Sequence, residues 1–567
     1  MNYKYTKKMS DISLGLEKAD LVLKNGFILN VFSNEIIKGD IAIEDGIIVG
    51  FGEYHGKNEI DVEGKYICPG LIDSHLHLES TLVLPAQLIH SAGLHGTTTF
   101  IVDPHEAANV AGKKGIDFIL EQTEASQANV FVMMPSCVPS TDFEDNGYTI
   151  SATDMQEYLG NPRILGLGEV MDCQAVLAAE TKMIKKLNLF QDRIIDGHAG
   201  YLNDKQTACY SLAGIKTDHE CCDFDTALLE MRNGMQILVR EGTAAKNLEA
   251  IINGIVKNQI PTDKLSFCTD DKHIEEIDNM GHISFNVKKA ISLGLNPIEA
   301  IKIATINTAR CYSLKNIGAI APGYQADLVI LSDLNNFTVE KVFYKGKEIK
   351  KDSSIMAKPF DSTLLKTVNI GLISQNSLNM KLKSNETSII NIIGGQILTQ
   401  RNVEKVKVQG ELFVADEVYN KVAVFERHHA TGKKGIGIVK GFSIKNGAIA
   451  STVCHDSHNL IVIGDNDQDM LLAIQELIAC GGGYTIFENG KKFMTLQLEI
   501  MGLISTEPHR LINEKLKKMI QKAHQMGVKD DIDPFITLSF LALPVIPEVR
   551  ITARGVFDVL KGQFLVD

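Results

Sequence analysis

Between residues 70 and 317 the chain repeats one pattern eight times: a short apolar run of β-type residues, then a stretch with helical periodicity. The runs are GLIDSHLH, GTTTFIVD, NVFVMMP, RILGLGEV, RIIDGH, GIKTDH, MQILVREG and LSFCTDD. Segments such as 107–127 and 244–257 lie between them. Eight βα units in about 250 residues match the count and size of a (β/α)8 (TIM) barrel. Counting alone leaves a doubly wound sheet open.

The polar residues decide more than the count. His75, His77, Asp103, His105, Glu169, His198, Asp218, His219, Arg240, Glu241, Asp270 and Asp271 all fall at the C-terminal ends of those runs. In a barrel that is the single face where active sites form. Scattered polar residues would not favour one end of every strand.

The chain has 567 residues, more than one core holds, so two or three domains are expected. Residues 19–66 read as short strands broken by Asn-Gly and Asp-Gly turns. Residues 318–349 repeat that texture. One small β-sandwich assembled from 1–69 and 318–369, with the barrel (70–317) inserted, accounts for both. Residues 370–567 read as a separate C-terminal α/β domain. The expected fold class is therefore α/β: a (β/α)8 hydrolase barrel, a composite β-sandwich and a C-terminal α/β domain.

The net charge of −13, from 70 acids against 57 bases, argues against a nucleic-acid or anionic-membrane surface. The basic start MNYKYTKKMSDISLG is not followed by an apolar run, and no stretch approaches a membrane span. Ten cysteines form no CxxC pair, which suits free thiols in a reducing cytoplasm.

The strongest local signal is Gly70-Leu-Ile-Asp-Ser-His75-Leu-His77. Residues i and i+2 of a strand point the same way, so two imidazoles stand side by side. Two histidines alone prove little. Here His198, His219, Glu169 and Asp270 end other strands and would converge on the same mouth. Imidazole and carboxylate ligands without thiolate suit manganese, iron or zinc. Two divalent ions balance the charge better than one. Glu169, Asp270 and a bridging hydroxide then leave a small positive excess, and bound metal lowers the pKa of water from roughly 15.7 to about 7.

PGLIDSHLHLES, with the flanking GAIAPGYQADLVIL, resembles the amidohydrolase superfamily. VDPHEAANV, GLGEVM, DGHAGYL, TDHE, REGTAAKNL, FCTDD and GHI resemble its adenine deaminase branch. So do the C-terminal ERHHATG, VKGF, GAIASTVCHDSHNLIV, PFITLSFLALPVIPEVR and TARG. The likeness runs from about residue 19 to the C-terminus.

The resemblance implies deamination of adenine to hypoxanthine and ammonia, by metal-bound hydroxide attacking C6. It implies two divalent ions, Mn²⁺ ahead of Fe²⁺ or Zn²⁺. His75, His77 and Asp270 would hold one ion, His198 and His219 the other, with Glu169 bridging. Many superfamily members bridge with a carboxylated lysine; GLGEVM has none. DGH is followed here by Ala-Gly-Tyr where close relatives would carry Pro-Gly, which bears on pocket shape and not on the ligand. Adenine and water are the expected partners, with a homodimer or larger homo-oligomer.

On this reading Asp270, Glu169 and His219 form the catalytic set, and Asp270 passes a proton from the nucleophile to the leaving amine. A second acid near N1 is needed; Glu79, Glu106 and Glu241 are candidates. His105 and Glu106 either line the pocket, hold an extra metal or simply start a loop. Arg240 and Glu241 form either an ion pair or a substrate contact. Asp73 and Asp218 could fix histidine tautomers. The cluster Glu426, Arg427, His428, His429, His455, Asp456 and His458 either closes the active site, from this chain or a partner, or is a domain-interface network. Two other functions compete: opening of a cyclic amide such as a hydantoin or dihydropyrimidine, and an inactive barrel scaffold.

Overall fold

The computed structural model describes residues 4–200, 202–243, 245–352, 357–394 and 397–565. The eight apolar runs form eight parallel strands: β1 (Leu71–Leu76), β2 (Thr97–Val102), β3 (Asn129–Met134), β4 (Ile164–Val170), β5 (Ile194–Gly197), β6 (Thr217–Asp218), β7 (Gln236–Arg240) and β8 (Leu265–Cys268). They pair in order as a five-stranded arc, β1 to β5, and a three-stranded arc, β6 to β8. Every residue of β2 is buried, which is why such strands read as unbroken apolar runs: helices cover the outside and side chains fill the inside.

Two seams close the ring. Lys216 N–H donates to Ile195 O at 2.9 Å, joining β5 to β6. Asp270 N–H donates to His75 O at 3.0 Å, and Ser74 Oγ donates to Phe267 O at 2.8 Å, joining β8 to β1. The second seam lies among the residues expected to bind metal.

One sheet carries both flanks of the barrel in sequence. Its strands are Ala19–Asn30, Glu35–Glu44, Ile47–Gly52, Gly56–Asp61 and Tyr66–Pro69 from one side, and Leu328–Asp333, Thr338–Tyr344 and Lys347–Glu348 from the other. The halves meet where Leu328 pairs with Pro69 and Ile330 with Ile67, antiparallel. The first strand is bulged between Leu23 and Gly26; its first part pairs with Gly56–Asp61 and its second with Tyr66–Pro69. Leu23, Ile41, Ile48, Ile67, Leu328 and Phe343, from both halves, share one core.

The C-terminal region forms a second eight-stranded sheet, over 386–497. Alternate residues serve opposite faces. Ala448, Ala450, Leu460 and Val462 pack under the helix Asp467–Cys480. Ile449, Ile461 and Ile463 join a core with Ile512, Leu516 and Met519 of the helix His509–Gln525, and with barrel residues.

The barrel loop at 142–145 fastens this sheet. Arg554 donates through Nε to Asp145 Oδ2 (2.9 Å), through Nη1 to Asp142 O (2.9 Å) and through Nη2 to Glu144 O (2.7 Å). Lys433 Nζ reaches Asp145 Oδ1 at 2.8 Å.

Candidate metal centre

Strands β1, β4, β5, β6 and β8 end at one point, and their terminal side chains meet there. Glu169 lies at the middle. Its Oε1 is 3.2 Å from His77 Nε2, 3.5 Å from His75 Nε2 and 3.1 Å from His105 Nδ1. Its Oε2 is 3.0 Å from His198 Nδ1 and 3.3 Å from His219 Nε2. Asp270 Oδ1 is 3.1 Å from His77 Nε2 and 3.8 Å from His75 Nε2. The rings of His75 and His219 stack at 4.3 Å. All of these residues are buried except His198, which is partly so.

Such a gathering is costly without a cation. Both ring nitrogens of His75, Nδ1 of His219 and Oε1 of Glu169 are buried and have no hydrogen-bond partner among the described residues. Unsatisfied buried polar atoms are rare because each forfeits its hydration. Ligand atoms held about 2.1 Å from a tetrahedral metal lie about 3.4 Å from one another, which is the spacing found here. The triplets His75–His77–Glu169, His75–His219–Asp270 and Glu169–His198–His219 each have atoms close enough to share an ion. A divalent metal therefore fits the donor set.

The surrounding shell aims these groups. His77 Nδ1 lies 2.8 Å from Asp103 O, so the proton sits on Nδ1 and Nε2 offers its lone pair to the centre. Asp103 Oδ2 accepts the Glu169 N–H at 2.9 Å. That contact requires Gly168, because a Cβ there would collide with the Asp103 carboxylate. Asp270 has φ +56°, a left-handed conformation that an aspartate tolerates better than most residues. Arg240 Nη1 donates to Asp270 Oδ2 at 2.5 Å and also binds Glu220.

Burial alone would raise the pKa of both acids. For Glu169 the neighbouring His75, His105, His198 and His219 outweigh burial and hold the carboxyl well below its usual range. For Asp270 the Arg240 guanidinium and His77 do the same. Both are carboxylates at neutral pH, as metal ligands must be.

The other expected residues divide. His105 belongs to the cluster; its Nε2 faces Asp456 Oδ2 at 3.7 Å. Arg240 lines the cavity and is committed to the ion pair with Asp270 and Glu220. Glu79 accepts the Ala107 N–H at 3.0 Å, supporting the turn that carries His105. Glu106 accepts from Ser80 Oγ at 3.0 Å and lies 3.4 Å from His455 Nδ1; burial pushes it up to about 8. Glu241 Oε1 accepts from Lys289 Nζ at 2.9 Å, and the residue is not among those lining the cavity.

Asp73 Oδ2 faces the buried ring of His282, 3.2 Å from its Nε2, and not the ring of His75; Asp218 holds backbone. Asp73 accepts from the amides of His75 and Thr269, and Asp218 from those of Ala199, Glu220 and Cys221.

The C-terminal cluster separates into two roles. Glu426 accepts the amides of His428, His429 and Thr431, and the fully buried Arg427 spends its guanidinium on carbonyls including Met501 O and Thr367 O. His429 is exposed and meets Asn146 O at 3.1 Å. These are structural. His455 and Asp456 instead enter the barrel mouth from the same chain. They line a cavity at the strand ends, with Met171, Ile397, Phe540, Leu543 and Ile546 forming its apolar wall. Asp271, beside Asp270 in FCTDD, and Glu220, beside His219, also line it. Nothing local in the sequence marks Phe540 or Leu543 as facing a barrel more than 200 residues away.

A barrel whose strand ends gather four imidazoles and two carboxylates is the architecture of the amidohydrolase family, and that family's profile matches residues 66–349. The profile of the adenine deaminase C-terminal domain matches residues 396–563. Adenine deaminase of Desulfitobacterium hafniense is 54% identical, covering 100% of this chain and 99% of its own. That of Clostridium acetobutylicum is 46% identical over 98% of each, and that of Bacillus subtilis 40% over 97% of each. The chain belongs to the adenine deaminase family.

Proposed function

We propose that this protein hydrolyses adenine to hypoxanthine and ammonia, and that it does so at the centre described above with two divalent ions, manganese foremost. The observation that carries the reaction is the likeness, through barrel and C-terminal domain alike, to proteins named adenine deaminase. His75, His77 and Asp270 would hold one ion, His198 and His219 the other, and Glu169 both. When bound, such ions supply ionised water at neutral pH and a positive field for the developing charge.

The reaction adds the oxygen of water to C6 and breaks the C6–N6 bond, and a proton must reach N6 before it leaves as ammonia. Two features support Asp270 as the group that makes that transfer. One of its oxygens is fastened to Arg240, while the other faces His77 and the cavity. The arginine fixes the direction of the carboxylate and keeps it ionised, ready to accept a proton from the attacking water. His77, oriented by the Asp103 carbonyl, would give its Nε2 lone pair to the ion and so would not be free to take that proton.

The division into 1–69 with 318–369, 70–317 and 370–567 is supported by the shared sheet and by the separate C-terminal sheet. Cytoplasmic residence is supported by buried free thiols such as Cys68, Cys268 and Cys454; among the described residues no helix is long and apolar enough to cross a membrane. The deciding experiment is ammonia release from adenine after separate reconstitution with manganese, iron and zinc. Ammonia from adenine is expected with manganese giving the highest rate. Metal uptake without ammonia would overturn the substrate, and no metal uptake would overturn the centre.

A further inference from the structure

His455 and Asp456 reach the barrel mouth on a loop held from several sides. Arg427 donates to His458 O, His428 Nε2 lies 2.7 Å from Ser457 O, and Asn459 Nδ2 donates to Asp145 O at 2.7 Å. The loop is thus fixed to its own sheet and to the barrel, and whatever it presents is held in place before a ligand arrives.

It presents an unsatisfied carboxylate oxygen. Asp456 is 2% exposed and lines the cavity, and its Oδ2 has no hydrogen-bond partner among the described residues. Among the described residues the nearest basic groups are His105 Nε2 at 3.7 Å and, for Oδ1, His455 Nδ1 at 3.6 Å, both too long for hydrogen bonds. Burial acts to raise this carboxyl's pKa, but His105 and His455 outweigh it and hold the group below its usual range, so it accepts and does not donate. A full imidazole ring separates it from Glu169: His105 turns Nε2 to Asp456 and Nδ1 to Glu169. Asp456 therefore stands off the metal ligands and meets a different edge of any molecule bound there. The apolar wall beside it includes Phe540, whose ring stacks on His455 at 4.6 Å and 21°. A flat aromatic ring fits against such a wall.

Adenine placed with C6 at the strand ends directs its five-membered ring away from them. That ring carries one N–H, on N7 or N9, and it is the donor left after the reacting amine is assigned. Resting on the adenine reading above, we propose that Asp456 is a substrate-binding residue that accepts this ring N–H and selects free purine bases over N-substituted ones. A site built around a buried acceptor rejects analogues lacking the donor, because the acceptor is then left unpaired.

The test uses the metal-loaded full chain and the variants Asp456→Ala and Asp456→Asn. Adenine and 9-methyladenine are the substrates. The product hypoxanthine, which keeps a ring N–H, serves as a calorimetric ligand. Loss of a charge-assisted hydrogen bond should raise KM for adenine and Kd for hypoxanthine about 10- to 100-fold in the alanine variant. The asparagine variant, whose carbonyl still accepts, should fall between. Metal content and kcat should stay within a few-fold of the parent, and the preference for adenine over 9-methyladenine should shrink. If the alanine variant does not fold, the asparagine variant decides the matter.

Unchanged KM and Kd would overturn the proposal, as would losses of metal or kcat without a change in discrimination. An unsubstituted enzyme that is loaded with metal yet releases no ammonia from adenine would instead remove the deaminase reading, and this assignment with it.

Discussion

Replacing Asp270 with asparagine separates proton transfer from metal binding. The substitution preserves shape: the asparagine carbonyl can still accept from Arg240, which now reaches Oδ2 at 2.5 Å. The atom facing His77 at 3.1 Å becomes either an amide N–H₂ or a weakly basic oxygen. Neither takes a proton from water at neutral pH. A positioned general base is worth about 10²–10⁴ in rate, so kcat should fall by that factor, about 3–5 kcal/mol in the barrier. KM should change by no more than about fivefold, because the residue acts on the nucleophile and leaving group, whose demands arise in the transition state. The other five ligands remain, so saturating metal should refill the site despite an affinity loss of about 10- to 100-fold. The assay is ammonia release at saturating manganese, with metal content measured on the same sample. A variant holding two ions with kcat within about threefold of the parent would refute a proton-transfer role for Asp270.

Four further outcomes follow from the same structure. Chelation should lower the melting temperature by several degrees, reversibly on adding manganese, since ligand at about 1,000 times its Kd stabilises by about 4 kcal/mol; a melting curve indifferent to chelator would deny the buried imidazoles and carboxylates their ion. His429→Ala should leave kcat, KM and metal content unchanged, because the exposed ring meets Asn146 O and the ring of His428 and does not line the cavity; a tenfold loss would return His429 to the active site. Arg554→Ala should loosen the C-terminal sheet, measured as faster proteolysis of the 142–145 loop, and protection equal to the parent would assign the docking elsewhere. The same contact carries a pH dependence. Burial acts to raise the pKa of Asp145, but Arg554 and Lys433 outweigh it and hold the group low. Its stabilising effect is therefore complete above the unfolded carboxylate pKa of about 3.9 and is lost as pH falls below that through the folded value. Docking that weakens on raising the pH from 5 to 8 would contradict this sign.

The barrel was legible because buried parallel strands leave a distinct trace: apolar throughout, then abruptly polar where the chain emerges at the active face. LSFCTDD and RILGLGEV both show it, and the strands fall where those runs do. The direction of individual side chains was less legible. Arg240 and Glu241 are neighbours, so strand alternation sends only one inward, but which one depends on where β7 stops pairing. It is Arg240; Glu241 is taken up by Lys289 on a helix more than 40 residues later in the chain. Asp456 and Phe540 were illegible for a different reason. Their place over the barrel is decided by how one domain seats on another, through contacts such as Arg554 with Asp145, and no periodicity within either segment encodes that pairing.

The antiparallel pairing of Leu328 with Pro69 has a consequence for synthesis. The Tyr66–Pro69 strand leaves the ribosome early, while its neighbour is still some 260 residues from being made, a delay of roughly 13–50 s at ordinary elongation rates. For that interval the nascent chain carries a bare strand edge, open to pairing with any passing polypeptide. Crowded translation, with many half-made copies side by side, would be the setting in which this enzyme is most easily lost to aggregation, and a holding chaperone the factor that most improves its yield.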